Sequence, residues 1–492
     1  MKKKIVLIIG AIFLLILAIP VISACKSDIQ KAAKSIPVYN ITATFNEEDM
    51  SILGVQNFEY INTSDEPVSQ LQFHLYGNSY RRNSLYPPVA SYNISKGYPN
   101  GLSYGSMSVS SVMLSGAEVS FSVDGEDEDI LIVNLHEEVF PLDKLILDIS
   151  FDVKLANVMH RLGYSEDTIN LGNWYPVLCV MENGEYFSNP YYSNGDPFYS
   201  DVANYNVMMQ IPSDYVAAFT GKVEKTTAAD GITLYEVSAE VVRDFAVVLS
   251  KKFETVTQKV NKTDITYYYY DDSNPQLALE YAVNSIKTFS ELFGEYPYDT
   301  YSVVKADFMY GGMEYPTLVL ISDEANEQFN EIIVHETAHQ WWYGIVGNNQ
   351  ITEAWIDEGL ADFSTALFYE NNSQYEKTFE HYIEGASNSY KLFVSIYSQV
   401  VKKEDTSMNR RLNEYRTEYE YTVMVYNKSV IMFGEIKKSY GSEKLVKALK
   451  RVYDECKYGF VNEAMLKNIF ATTVNADVPS IIDSFITGKV II

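Results

Sequence analysis

Cysteine is nearly absent from this sequence, with 3 in 492 residues. A disulfide framework is therefore excluded as the source of stability, and Cys179 and Cys456 read as two buried free thiols. Basic residues are also few: 38 Lys and Arg stand against 65 Asp and Glu, a net charge of −27. So acidic a chain has no basic surface for a phosphate backbone, and nucleic acid is not an expected partner. The same negative field keeps the chain soluble and favours substrates with a free amino end. There is no internal repeat and no low-complexity tract. What the chain has instead is core material. At 47% hydrophobic composition, nearly five hundred residues can bury enough apolar surface for two domains.

The amino end is a targeting signal. Met1-Lys2-Lys3-Lys4 is basic, and Ile5 to Ala24 is almost wholly apolar. That is a secretory leader or a membrane anchor, long enough to span a bilayer. Ile22-Ser23-Ala24-Cys25 resembles the bacterial lipobox, in which a Cys becomes the lipidated new N-terminus. The expected organisation is a signal peptide over 1–24 and a polar tether over 25–35. The protein would then be extracytoplasmic, held to the bacterial cell membrane by lipid on Cys25. An uncleaved anchor and plain secretion are the alternatives.

Residues 36–272 read as β-structure. Alternation recurs in Gln56–Tyr60, Leu71–Leu75, Val119–Val123 and Leu145–Phe151, with turn clusters between them. Such a run of short strands suggests a sandwich or open saddle. His74, His136 and His160 lie here without partners at metal spacing and read as strand or loop residues. The aromatic stretch Asn173–Pro197 reads as a long loop, either packed on itself or walling a cleft. From Pro275 a helical period begins, carried by Leu279, Ala282, Val283, Ile286 and Phe289, with Gly294 as the expected cap. The domain boundary is expected near 272. Residues 273–492 read as mainly helical, with Lys402–Glu420 as an exposed charged interruption.

The chemistry is concentrated in Glu331–Gly347. His335-Glu336-Thr337-Ala338-His339 is an HExxH motif, and no Gly or Pro interrupts Ser322 to Tyr343. A continuous helix is expected, with Ser322 or Asp323 as N-cap. On it His335 and His339 share one face, where two imidazoles can hold one zinc ion beside the Glu336 carboxylate. Zinc hydrolases usually use three protein ligands. Trp355-Ile356-Asp357-Glu358-Gly359 offers the third, because a turn through Gly344, Gly347, Asn348 and Asn349 allows an antiparallel helix pair that brings Glu358 to the histidines.

HExxH, eighteen residues, then Glu resembles the gluzincin metallopeptidases of the aminopeptidase N and leukotriene-hydrolase type. Gly311-Gly312-Met313-Glu314-Tyr315-Pro316 is similar to that family's GxMEN exopeptidase motif, with Tyr315 in place of Asn. Val425-Tyr426-Asn427-Lys428-Ser429 is similar to its Tyr-x-Lys-Gly segment, with Ser429 in place of Gly. The resemblance implies an α+β chain: an N-terminal β-sandwich or saddle domain followed by a thermolysin-like, mainly helical zinc-peptidase domain. It implies one Zn2+ per chain on His335, His339 and Glu358. Glu336 would be the general base and Tyr426, with Tyr421 as a nearby competitor, would support the oxyanion. Gly311, Gly312, Met313 and Glu314 would bind substrate, with Glu314 on the α-ammonium of a peptide with a free N-terminus. A polar side chain from the β-domain is expected to help bind that amine, but no residue matches it in the sequence. Asp362, one turn after Glu358, is positioned to support a ligand His or to form a structural ion pair. His381 reads as surface. Few residues follow Tyr426, so a more open cleft than in longer relatives is expected. The activity implied is zinc aminopeptidase. The alternatives are an endopeptidase with Glu314 idle, hydrolysis of a non-peptide substrate, and a binding lipoprotein without turnover. The last would be expected to lack a ligand or the base, and all four residues are present.

Overall fold

The computed structural model describes residues 28–400 and 405–488. The leader and Cys25 lie outside the described residues. The expected tether is in part a docked segment: Asp28–Ala32 is a short helix, and Lys457 Nζ reaches Asp28 at 2.6 Å. Among the described residues no helix is long and apolar enough to cross a membrane.

The N-terminal half is the expected sandwich. Its large sheet has eight strands, in the order Lys222–Ala229, Ile232–Val242, Ala203–Pro212, Val38–Asn46, Ser51–Ile61, Lys144–Lys154, Ser106–Leu114 and Ala117–Glu118. Val38–Asn46 pairs in parallel with Ala203–Pro212, with Ile41 opposite Val207. Strand alternation sends Tyr39, Ile41, Ala43 and Phe45 into the core, each 4% exposed or less. Two four-stranded sheets complete the sandwich. Phe73 of one meets Phe58 at 5.4 Å, and Phe219 of the other meets Tyr235 at 5.1 Å. The stretch after Asn173 is mostly buried, with Glu182–Glu185 exposed at the tip of a hairpin. Trp174 and Tyr175 are fully buried, because Trp174 Nε1 donates to Phe245 O and the Tyr175 hydroxyl to Tyr205.

The domain boundary falls earlier than 272. Glu254–Val260 and Thr263–Tyr269 belong to the five-stranded sheet of the second half, in the order Glu254–Val260, Thr263–Tyr269, Thr300–Ala306, Leu318–Ser322 and Gly312–Met313. Ile265 pairs in parallel with Tyr301. Burial alternates along Thr263–Tyr269 as in the strands of the first sandwich, and pairing rather than pattern assigns the strand. Leu318–Ser322 is buried at every position, which explains its unbroken apolar run. The edge of this sheet is Gly312–Met313.

Helix Pro275–Leu292 carries Pro in its first turn and buries Leu279, Ala282, Val283, Ile286 and Phe289 on one face. Phe293 caps it, one residue before the expected Gly294. The expected continuous helix from Ser322 is broken. Asp323–Gln328 is a 3₁₀ turn interrupted at Asn326, where φ is 48°. The α-helix runs over Phe329–Ala338. Ser322 caps the 3₁₀ turn, accepting from Glu324 N. Of the stretch Lys402–Glu420, residues 402–404 lie outside the described residues, and the rest is less exposed than its charge suggests: Arg410 pairs with Glu420 at 2.8 Å, and Leu412 and Glu420 are 1% exposed or less. Cys179 and Cys456 are both buried and free.

Candidate metal centre and cleft

Helix Phe329–Ala338 presents His335 and, at its C-cap, His339. Helix Trp355–Asn371 returns beside it and carries Glu358 in its first turn. Three ligand atoms converge. His335 Nε2 and His339 Nε2 are 3.1 Å apart. Glu358 Oε2 lies 3.1 Å from His339 Nε2 and 3.3 Å from His335 Nε2.

The remaining ring nitrogens have acceptors of their own. His335 Nδ1 is 3.0 Å from Asp362 Oδ1, and His339 Nδ1 is 2.9 Å from Trp342 O. Each Nδ1 therefore carries the proton of a neutral ring, and two Nε2 lone pairs face each other next to a carboxylate oxygen. Such an arrangement needs a cation between the three atoms. Ligands about 2.0–2.1 Å from a tetrahedral zinc stand about 3.3–3.4 Å from one another, close to the separations found. The donor set of two imidazoles and one carboxylate fits zinc. Asp362 is thus a partner of a ligand rather than of a distant base, as one of its two sequence readings had it. The surrounding carboxylates draw positive charge to this point. Burial opposes charge on His335, yet its hydrogen bonds to Asp362 and Glu358 raise its pKa well above the usual value. Burial would also raise Glu358, but His339 and His335 pull it down to about 2.

Glu336 faces the same cleft. It is 5% exposed, and its Oε2 has no hydrogen-bond partner among the described residues. Burial, opposed by His335 and His339, moves it up to about 7. Gly312 of the edge strand lies against it: a Cβ there would stand 2.3 Å from Glu336 Oε1. Gly311 has a looser neighbour, Ile332, at 3.3 Å. Met313 is fully buried and receives Arg161 Nε on its sulfur at 3.1 Å.

Glu314 follows the edge strand and is 3% exposed. Gln350 Nε2 donates to its Oε1 at 2.7 Å and to Asp357 Oδ2 at 2.8 Å. Glu314, His339 and Asp357 also have ligand-type atoms within 4.8 Å of one another. That second grouping already has the Gln350 amide between its carboxylates, and it shares His339 with the first. Burial, then the charge of Asp196, raise Glu314 well above the usual carboxylate range.

Tyr426 sits on a wide π-helical turn, Val423–Asn427. Its hydroxyl donates to Glu358 Oε1, and its ring stacks on His335 at 5.8 Å. The competitor Tyr421 packs edge-on against Tyr426 at 5.8 Å. A cavity of about 340 Å³ is lined by His335, Glu336, Tyr421 and Tyr426, while Glu314 and Glu358 are outside its lining. It is walled from the β-domain by Arg161, Gly195 and Asp196. These were not named from sequence. A wall of the cleft is one of the two sequence readings of the loop holding Asp196, whereas Arg161 has no local signal. Arg161 pairs with Asp196, both almost fully buried, and its guanidinium lies over Tyr310 at 5.2 Å. His74, His136, His160 and His381 are not among the residues grouped as metal donors.

Residues 277–485 match the Peptidase family M1 domain. Similar curated proteins include Aminopeptidase M1-C of Oryza sativa subsp. japonica, 22% identical over 349 residues, covering 66% of this chain and 38% of the relative. Glutamyl aminopeptidase of Rattus norvegicus is 27% identical over 182 residues, covering 33% and 19%. The chain thus spans well under half the length of these curated relatives. Among solved structures, the M1 zinc metallopeptidase from Deinococcus radiodurans superposes with a TM-score of 0.66 at 15% identity, covering 93% of this chain and 94% of that one. At that identity the likeness speaks for the fold, and it extends through the β-domain that precedes the matched residues.

Proposed function

We propose that this protein is a zinc-dependent aminopeptidase. The observation that carries the reading is the convergence of His335, His339 and Glu358 beside Glu336, with Glu314 buried at the end of the adjoining edge strand. The relatives named aminopeptidases support it, as does the Deinococcus radiodurans enzyme, described with a bound Tyr-Ser-Ala substrate.

Zinc held by His335, His339 and Glu358 supplies a Lewis acid that polarises a carbonyl and makes water acidic near neutral pH. The side chains do the rest. Asp362 and the Trp342 carbonyl hold the two imidazoles in the tautomer that leaves Nε2 free. Glu336 takes the proton of the attacking water and delivers it to the leaving amine. Tyr426 donates its hydroxyl to the oxyanion that develops on the substrate carbonyl. The edge strand Gly312–Met313 pairs with the extended peptide backbone, and Gly312 lets that strand approach Glu336. Glu314 binds the α-ammonium, so that the scissile bond is the first one. Asp196 adds a second carboxylate on the β-domain side of the cavity. It is the residue here best placed to help bind the amine.

Membrane attachment through a lipidated Cys25, with the enzyme outside the cytoplasmic membrane, belongs to the same proposal. It rests on the lipobox-like segment of the sequence. Metabolic labelling with a fatty-acid probe, compared with Cys25→Ser, tests it. Loss of label and release from membranes are expected, and an unlabelled wild-type chain would refute it.

For the activity, hydrolysis of aminoacyl-amide reporters is compared with hydrolysis of the same peptides N-acetylated, using wild type, Glu336→Gln and Glu314→Ala, with bound zinc quantified. Turnover that requires zinc, a free amine and both carboxylates is expected. Equal cleavage of the acetylated peptides would make the protein an endopeptidase, and absence of zinc and turnover would make it a binding protein.

A further inference from the structure

The partner of His339 Nδ1 is the carbonyl of Trp342, at 2.9 Å. That carbonyl belongs to the Trp342–Tyr343 peptide, and Tyr343 has a φ of 135°. A residue with a Cβ disfavours that conformation, so something must hold it. The helix does not, since it ends at Ala338.

Two residues of the β-domain grip Tyr343 at both ends. Arg243 Nε donates to Tyr343 O at 2.8 Å, and the Tyr343 hydroxyl donates to Asp244 Oδ2. Arg243 and Asp244 follow strand Ile232–Val242 and are 1% and 0% exposed. Each is anchored elsewhere. Arg243 donates to Ser200 O at 3.0 Å and to Gly459 O, and its guanidinium lies over Phe460 at 4.6 Å. It fills the space over Gly347, where a Cβ would stand 2.4 Å from Arg243 Cζ. Asp244 accepts from Asn173 Nδ2 at 3.0 Å.

We propose that Arg243 and Asp244 are positioning residues for the metal ligand His339. By holding Tyr343 through its carbonyl and its phenol, they fix the peptide plane whose Trp342 carbonyl sets the tautomer and tilt of the imidazole. The β-domain then belongs to the metal centre without supplying a ligand. This rests on the zinc reading of His335, His339 and Glu358.

The test uses the full chain with Tyr343→Phe, Asp244→Ala and the pair together. Tyr343→Phe keeps the ring and the backbone and removes the link to Asp244. Zinc dissociation constants are measured by chelator competition, and thermal midpoints are measured on the metal-free proteins. Each single variant is expected to raise the zinc dissociation constant about tenfold, the lower end of what loss of a ligand's supporting group costs. The double variant should show little further rise, because both changes cut one link. A dissociation constant that stays at the wild-type value, with only the metal-free midpoint lowered, would reduce the pair to cement between domains. A wild-type chain that binds zinc no better than Glu358→Ala would instead overturn the metal reading beneath the proposal.

Discussion

Replacing Gly312 with Ala puts the geometry of the cleft under direct strain. The added methyl would stand 2.3 Å from Glu336 Oε1, 2.6 Å from its Cδ and 2.7 Å from its Cγ. Non-bonded heavy atoms settle at separations of about 3.5 Å or more. One of the two groups must therefore move by about 1 Å. The strand resists, because Gly312 pairs with Ile321 and Met313 with Leu320, and Met313 is fully buried. The Glu336 side chain borders the cavity and gives way instead. A displacement of that size at a reacting group costs on the order of 10²-fold in rate. The atoms met are all those of Glu336, so the three ligands stay in place. Gly312→Ala is thus expected to lose about 100-fold in kcat on an aminoacyl-amide reporter, with full zinc content and little change in KM. Relief of the clash into the cavity keeps the stability loss within about 1–3 kcal/mol. A zinc-replete Gly312→Ala enzyme with near wild-type turnover would refute the placement of Glu336 as the base.

Glu336→Gln should bind zinc as the wild type does and lose about 10²–10⁴-fold in kcat, since general base catalysis contributes on that scale; metal analysis and steady-state kinetics on one preparation check both parts. Glu358→Ala should lose zinc affinity, and with it the upward shift in thermal midpoint that excess zinc gives the wild type. Tyr426→Phe should cost about 10²–10³ in kcat while Tyr421→Phe costs little; the reverse order would hand the oxyanion role to Tyr421. Lys428 is fully buried, with Nζ donating to Thr406 O and Phe485 O at 2.5 and 2.7 Å. Burial, then the charge of Arg410, lower it from 10.5 to about 7. Between those two values the unfolded chain binds more protons than the folded one, so this group makes stability rise with pH across that window. Denaturant unfolding at pH 7 and at pH 10 should give Lys428→Met a flatter dependence than wild type, by a few kcal/mol.

The sandwich was legible because strands with one face buried alternate strictly, as Val38–Asn46 does. The convergence of His335, His339 and Glu358 was legible for a related reason. Positions i and i+4 share a helix face wherever the helix lies, and a turn after His339 can return only a nearby segment such as the one carrying Glu358. The break at Asn326 was not legible, since nothing in Ser322–Tyr343 is a helix breaker; the φ of 48° there is set by how the chain leaves the sheet and enters the helix. The boundary near 272 failed because Thr263–Tyr269 alternates like any strand of the first domain, while its partner, Thr300–Ala306, lies across a helix.

The sequence by itself determined the chemistry that local geometry can carry. It placed two imidazoles on one face, a carboxylate between them in the sequence, a glycine pair before Glu314, and an excess of acidic over basic residues. Tertiary structure alone decided what has no local pattern. It brought Arg161 and Asp196 to the cleft wall, set Gln350 between Glu314 and Asp357, and carried Arg243 and Asp244 to Tyr343, 100 and 99 residues away along the chain. Periodicity reports which way a side chain points from its own backbone. It says nothing of which distant backbone will be packed there, and that depends on how two whole domains bury their surfaces against each other.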